Sequence, residues 1–400
     1  MDKQQNKSIH TTSLSFTKLG DGLLNPKLVL AWLLTSVGAG AGFIGLLVPI
    51  REAGALLPQL FTAAKLRRVE VRKWWWVTGS VLQGMAVFGI ALSGIFLSGT
   101  SAGVVIMILL TIFALARSIC SVSYKDVLGK TVEKSERGLV TGTASSIAGG
   151  GVFLFGLLLM FEVVERGVIV FSALFLAAVL WVVSALLFTR LDEAPSDIEI
   201  TGNESVFQSY KRYLFEDREL QKFLVVRALL TATAVAPPFI LLMAGDVAEQ
   251  GILSLLGAMV VATSFASFVS GRLWGRLSDY STVLVLALSG LFASTFLALS
   301  LIAIPYGFYD TSWFLPLLIF VFMVAYEGVR NARTIHLVNL AGEETRAAYT
   351  AISNSIIGVV LLATGLFGVL AEATSVQTVI GVFAAMALAG GLLAFTLEKS

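Results

Sequence analysis

Apolar stretches recur along the chain, separated by short polar breaks. They cover roughly 74–97, 101–124, 137–161, 167–189, 222–243, 250–272, 282–305, 313–335, 346–370 and 374–396. Each is close to the ~20 residues a helix needs to cross about 30 Å of hydrocarbon. A transmembrane barrel would show segments of about ten residues with alternating polarity. The expected fold class is therefore an all-α polytopic membrane protein.

The first 65 residues are less regular. Hydropathy alone selects 28–50 as one span and leaves 53–64 too short to cross. The alternative is a hairpin: one span from about Thr12 to Val37, a turn in the glycines of 38–42, and a second from about Ala41 to Ala64. Glycines suit such a turn. The first span then carries Lys18, Asp21, Asn25 and Lys27. Counting the hairpin gives twelve spans, and Lys and Arg support that count. One set of connections holds Lys65, Arg67, Arg68, Arg72, Lys73, Lys130, Lys134, Arg137, Arg190, Lys211, Arg212, Arg218, Lys222, Arg276 and Arg346. The opposite set holds Arg166 alone. The basic set, with both termini, is expected in the cytoplasm. An eleven-span reading would put the basic N-terminus outside. Trp74, Trp75 and Trp76 follow Arg72 and Lys73 as an interfacial anchor.

Composition agrees. Hydrophobic residues make up 56% and charged residues 14%, against about 25% charged in soluble domains. The net charge is +2 with no run of like charge, so no nucleic-acid partner is expected. Cys120 stands alone, and His10 and His336 are the only histidines. No metal-ligand spacing, no cofactor motif, no cleavable leader pattern and no G-x-x-x-x-G-K-[ST] run occurs. An ATP-driven pump and an enzyme needing a nucleophile–base pair at membrane depth are both disfavoured.

Asp192 to Glu219 is the longest polar stretch, with an amphipathic segment expected over Ser205 to Glu219. It divides the chain into a six-helix bundle (1–190), a cytoplasmic linker (191–219) and a second six-helix bundle (220–400). The halves repeat. At an offset of 209 residues, 137–157 and 346–366 share seven identities: Arg137/Arg346, Thr141/Thr350, Ser146/Ser355, Ile147/Ile356, Gly149/Gly358, Gly156/Gly365 and Leu157/Leu366. The same offset pairs Gly42 with Gly251, Leu46 with Leu255 and Arg67 with Arg276, which supports 41–64 as the second span. Two parallel six-span halves are the architecture of one large transporter class.

With these features the chain resembles the major facilitator superfamily over nearly its full length. The family's loop signature, G-x-L-a-D-x-x-G-R-[KR], is matched after the eighth span by Gly275, Leu277 and Asp279, without the later glycine and basic pair. After the second span, residues 65–73 keep only the basic residues. The resemblance implies that Asp279 clamps a cytoplasmic gate in one state. It also implies that spans 1, 4, 7 and 10 line a cavity, and so a cavity-facing place for Arg117, Glu327 and Arg330. The glycine-rich run 141–151 is loosely similar to the family's fifth-span antiporter motif, and equally fits close helix packing.

Charges inside apolar helices are costly, about 2.5–3.5 kcal/mol each on insertion scales, and usually face a partner or water. Arg51 and Glu52 stand in the second span between Pro49 and Pro58, in its outer half, which suits gating or coupling. Arg117 in the fourth span and Glu327, Arg330 and Arg333 in the tenth are better placed for substrate, with Asn354 in the eleventh. Glu327 and Arg330, at i and i+3, can pair. Lys125 and Asp126 lie near the cytoplasmic end of the fourth span, and Arg227 reads as interfacial. In the functional reading the arginines hold a solute and Glu52 or Glu327 carries a proton. The competing reading makes these pairs fixed structural salt bridges.

The sequence thus points to a secondary active transporter working by alternating access, coupled to protons as symporter or antiporter. It would be a monomer in a bacterial inner membrane. Five arginines against two acids at comparable depth favour an anionic or zwitterionic solute. A non-transporting sensor, a lipid flippase or a membrane-embedded enzyme on a similar scaffold are the alternatives.

Overall fold

The computed structural model describes residues 3–66, 68–133, 135–161, 164–195, 215–247, 255–341 and 346–398. All regular structure among them is helical. Ten stretches are long and apolar enough to cross a membrane: Lys73–Phe96, Gly99–Thr131, Arg137–Met160, Arg166–Thr189, Arg218–Ala244, Leu256–Ser278, Thr282–Ile302, Phe314–Leu340, Tyr349–Ala373 and Val376–Ala394. The chain is a multi-pass membrane protein, and these stretches coincide with the apolar segments of the sequence. The chain divides into two compact units, residues 1–43 with 50–202 and residues 44–49 with 203–400.

The first 66 residues form four helices: α1 (Lys3–Leu24), α2 (Val29–Ser36), α3 (Ala41–Leu56) and α4 (Gln59–Leu66). The chain turns at 37–40, in the middle of the 28–50 run, so that run is not one span. Gly38 supplies the left-handed backbone of the turn, with φ +74°. α1 begins nine residues before the expected Thr12. Its extra turns are polar and gain a tether: the Asn6 amide donates to Asp192 O at 3.1 Å and accepts from Asp192 N at 3.1 Å. α1 stops at Asn25-Pro26, where Asn25 Oδ1 accepts from Lys27 N at 3.1 Å. α3 stops before Pro58, which has no N–H to continue the ladder, while Pro49 is carried inside α3.

The rest of the first unit comprises α5 (Lys73–Phe96), α6 (Gly99–Thr131), α7 (Arg137–Met160) and α8 (Arg166–Thr189). α1 packs against α7 and α8, and α5 against α6 and α8. Ser13 and Ser184 each donate to the other's carbonyl, at 3.5 and 3.2 Å, and Ser80 donates to Trp181 O at 2.9 Å. At one end Trp76 stacks on Phe188 at 4.0 Å, beside Cys120, Val127 and Leu191. α6 has 33 residues, about 50 Å of helix, against about 30 Å of hydrocarbon. Its last turns must therefore leave the apolar layer. There they carry Lys125, Asp126 and Lys130.

The second unit holds α9 (Arg218–Leu229), α10 (Ala232–Val247), α11 (Leu256–Tyr280), α12 (Thr282–Ile302), α13 (Phe314–Leu340), α14 (Arg346–Thr364), α15 (Leu366–Ala373) and α16 (Val376–Ala394). α9 and α10 are one apolar stretch broken at Leu230-Thr231, ahead of Pro237 and Pro238. Thr233 N to Leu230 O, at 3.1 Å, is the tight i to i+3 bond of that break. The linker's amphipathic segment falls on 205–214, outside the described residues, apart from its last few positions.

α12 and α16 meet through glycines. A methyl group on Gly391 would stand 2.8 Å from Leu291 N and 3.0 Å from Ala287 O, and one on Gly290 would stand 2.8 Å from Gly391 Cα. Small residues let the two backbones approach, which drives helix association in lipid. Gly391→Val should lower stability by about 1–3 kcal/mol through overpacking. A thermal melt of the purified protein checks this, with Gly381→Val as the control, since a methyl there meets only Leu301 at 3.9 Å.

Candidate functional site

Three helices of the first unit converge on one carboxylate. Asp21, on α1, accepts from Arg51 Nη2 of α3 at 2.9 Å. It also accepts from Arg117 Nη1 of α6 through both carboxylate oxygens. Glu52 lies 3.6 Å from Arg51 Nη1 and within electrostatic reach of Arg117. The cluster holds two cations and two anions. Arg51 is deep, with its guanidinium 5.5 Å from the centre of the Phe113 ring, a favourable cation–π distance. Arg117 is more open: 34% of its side chain is accessible against 8% for Arg51. One turn along α6, Cys120 accepts from Gln83 Nε2 at 3.1 Å.

The sequence singles out Arg51, Glu52 and Arg117 as charges in apolar surroundings but not the group that unites them. Asp21 counted only as part of a polar first span. Apart from Asp2 it is the one acid before Glu52, and the hairpin brings its span against that of Arg51, an arginine in need of counter-charge.

In the second unit Glu327 and Arg330 of α13 pair at 3.2 Å, as their spacing predicts, and Ser267 of α11 donates to Glu327 at 3.4 Å. Arg330 is exposed. Asn354 Oδ1 of α14 accepts from Arg227 Nη2 at 3.2 Å, and Ser353 Oγ accepts from Arg227 Nη1. Arg333 is half-buried and lies within electrostatic reach of Arg227. Arg227, expected at an interface, is instead buried at 8% exposure. An arginine at the first turns of an apolar stretch reads as interfacial from sequence, because the helix that holds its partners comes 126 residues further on.

The signature residues are not in a loop. α11 runs through Gly275, Leu277 and Asp279 to Tyr280, and Ser281 alone joins it to α12, its Oγ accepting from Leu284 N at 3.2 Å. The missing second glycine of the signature leaves nothing to stop the helix earlier. Gly275 and Leu277 are half-buried, and the side chain of Asp279 lies outside the described residues.

A second polar cluster ties the first unit together at the end of α6. Asp126 pairs with Arg72, and with Lys130 at 2.9 Å, rather than with Lys125, which is exposed. The Glu193 side chain is fully buried. It accepts from Lys130 Nζ at 3.0 Å and from the backbone N–H groups of Arg72 and Lys73 at 3.1 and 2.7 Å, at the start of α5. A carboxylate there satisfies orphan donors and complements the helix dipole. Among the described residues no group of His, Cys, Asp and Glu could hold a metal ion.

No family model matches the sequence, and no curated protein matches it. Solved structures do. The nucleoside transporter NupG superposes with a TM-score of 0.75 at 14% identity, covering 98% of this chain and 100% of its own. A POT family transporter in complex with a thioalcohol-conjugated peptide gives 0.73 at 10%, over 98% and 95%. The peptide transporter POT in complex with sulfate gives 0.74 at 13%, over 100% of both chains. The chain has the major facilitator fold. At such identity the likeness extends to the fold alone. In this fold the Asp21 cluster is a crossing of α1, α3 and α6 within the N-terminal unit.

Asp21→Asn would leave two guanidiniums facing a neutral amide. We expect a loss of about 1–3 kcal/mol, below the roughly 3–5 kcal/mol of a fully buried pair because Asp21 is partly accessible. Thermal melts should show the loss relieved in part by adding Arg51→Gln. No relief would mean that Arg51 does not depend on Asp21.

Proposed function

We propose that the chain is a secondary active transporter that moves a small solute by alternating access, coupled to protons. The observation that carries the reading is the carboxylate of Asp21 shared by two arginines from two other helices. Ionised, Asp21 holds α1 to α3 and α6. A proton on Asp21 cancels its charge and frees both guanidiniums. Glu52 is at hand to take Arg51, and Arg117, the more open, is left to bind an anionic group through charge-assisted hydrogen bonds. The solute anion and the ionised Asp21 carboxylate thus compete for Arg117, so a proton on Asp21 and the solute favour each other's binding, and such linkage is the elementary requirement of coupling. Asp21 joins Glu52 as a candidate for the proton-carrying group.

The same reading gives roles to the other sequence candidates. The pair Glu327–Arg330, with Arg333 and Asn354, contributes polar contacts in the second half, and Gly275, Leu277 and Asp279 serve a cytoplasmic gate. We take the bundles as 1–190 and 220–400, with twelve crossings in all. The Lys and Arg asymmetry puts both termini in the cytoplasm of a bacterium, with the monomer in the inner membrane. An anionic or zwitterionic solute fits the excess of arginine. Structural neighbours whose names give nucleosides and peptides as cargo support a small polar solute.

The competing reading makes the Asp21 cluster a fixed salt bridge. Reconstituted protein separates the two. With a labelled solute found by screening in counterflow, Asp21→Asn should retain exchange at equal pH while losing most accumulation driven by a pH gradient, about tenfold or more. Accumulation that survives in Asp21→Asn would take Asp21 out of coupling, and the same measurement on Glu52→Gln tests the alternative carrier.

A further inference from the structure

The two units treat their buried cations differently. In the first, Arg51 and Arg117 have Asp21 and Glu52. In the second, the partners of Arg227 among the described residues are neutral: Ser353 Oγ and Asn354 Oδ1. Its Nε is buried without a hydrogen bond. Among the described residues no carboxylate pairs with it, and the charge that acts on it is the like charge of Arg333. Glu327, the nearest acid along α13, is occupied by Arg330. A guanidinium taken out of water without a counter-charge costs several kcal/mol, and a second cation beside it adds to that.

The three elements meet at one level. Arg227 is nine residues from the start of α9, Asn354 eight from the start of α14, and Arg333 seven from the end of α13. At 1.5 Å per residue these are depths of roughly 10–14 Å from the helix ends. The internal repeat supplies an independent observation. The offset of 209 that aligns the halves sets Arg227 on Lys18 and Asn354 on Ser145. In the first unit Lys18 Nζ donates to Ser145 Oγ. Both halves therefore keep a cation on their first helix, hydrogen-bonded to the same position of their fifth. Arg227 is the copy that has kept the guanidinium, whose planar fork matches an oxyanion.

We infer that Arg227, with Arg333, Ser353 and Asn354, forms a subsite for the carboxylate or phosphate group of a soluble solute. The bound oxyanion supplies the missing counter-charge: Arg227 Nε and a guanidinium N–H donate to it, Arg333 adds its charge, and Ser353 and Asn354 orient the fork. This rests on the transport reading for its physiological meaning, but not for the binding itself.

The test uses full-length protein in nanodiscs of phosphatidylcholine, melted in propionate, inorganic phosphate or chloride at constant ionic strength. We expect a saturable rise in Tm with one or both oxyanions over chloride. The apparent affinity should be at least about tenfold weaker in Arg227→Gln, from loss of a charged hydrogen-bonding partner, and partly restored in Arg227→Lys. Should Arg227→Gln fail to fold, Arg333→Gln carries the comparison, with weaker binding expected. No rise in wild type, or the same rise in the variants, overturns the subsite. A rise produced instead by adding phosphatidylglycerol, with no further effect of soluble anion, assigns the position to lipid and also overturns it. Counterflow with the same purified protein reconstituted in sealed proteoliposomes separates the two readings. Solute exchange with an anion effect indifferent to Arg227 removes the subsite and leaves transport. Anion binding that depends on Arg227 without exchange of any solute leaves the subsite and removes transport.

Discussion

A single carboxylate serving two guanidiniums is the interaction on which the first unit turns. Asp21 comes from α1, Arg51 from α3 and Arg117 from α6. α1 and α6 pack on other helices, α1 on α7 and α8 and α6 on α5, and Asp21 is the side-chain tie that joins both to α3. α3 and α4 are short and interrupted by proline, and α1 owes its contacts to α7 and α8 through serines and glycines. The hydrophobic effect gives no driving force between helices in lipid, where the tails are as apolar as the side chains, so close packing and polar contacts set the arrangement. A charged contact at that depth is directional, and its alternative is an unpaired ion in a poor solvent. It therefore fixes one arrangement of α1, α3 and α6 strongly, and a change in one proton alters it strongly.

The end of α6 shows the opposite use of charge. Glu193 is fully buried and is satisfied by Lys130 and two backbone N–H groups, while Asp126 joins Arg72 and Lys130. Every charge there has a partner, and Glu193 at the centre is sealed from solvent. It anchors the chain leaving α8 to the start of α5. The Asp21 cluster has an accessible arginine, and among the described residues no carboxylate pairs with Arg227 in the second unit. Charge in this chain ranges from a fixed anchor, through a carboxylate shared by two arginines, to a buried cation whose described partners are neutral.

Much of the fold was legible in the sequence because spans are written in long apolar runs and the repeat doubles the signal. The ten apolar stretches and the turn near Gly38 follow from composition and glycine. The start of α1 at Lys3 did not, since a polar helix outside the apolar layer is held by Asn6 meeting Asp192, 186 residues away. The helical form of 275–280 was hidden by a signature that names a loop. At the site, Arg51, Glu52 and Arg117 stood out as charges in apolar surroundings. Asp21 did not, because its own stretch is polar. Glu327 with Arg330 could be paired from spacing alone, whereas the burial of Arg227 depends on helices that sequence distance conceals. Local pattern finds the anomalous residue, and tertiary contact decides what it pairs with.

The central claim is that Asp21 is the group that takes up and releases the proton. Infrared difference spectroscopy of the protein in lipid, stepped from neutral to acidic pH, reads this directly. A band of a protonated carboxyl group should appear in wild type and be missing in Asp21→Asn. The same band at full strength in Asp21→Asn would contradict it.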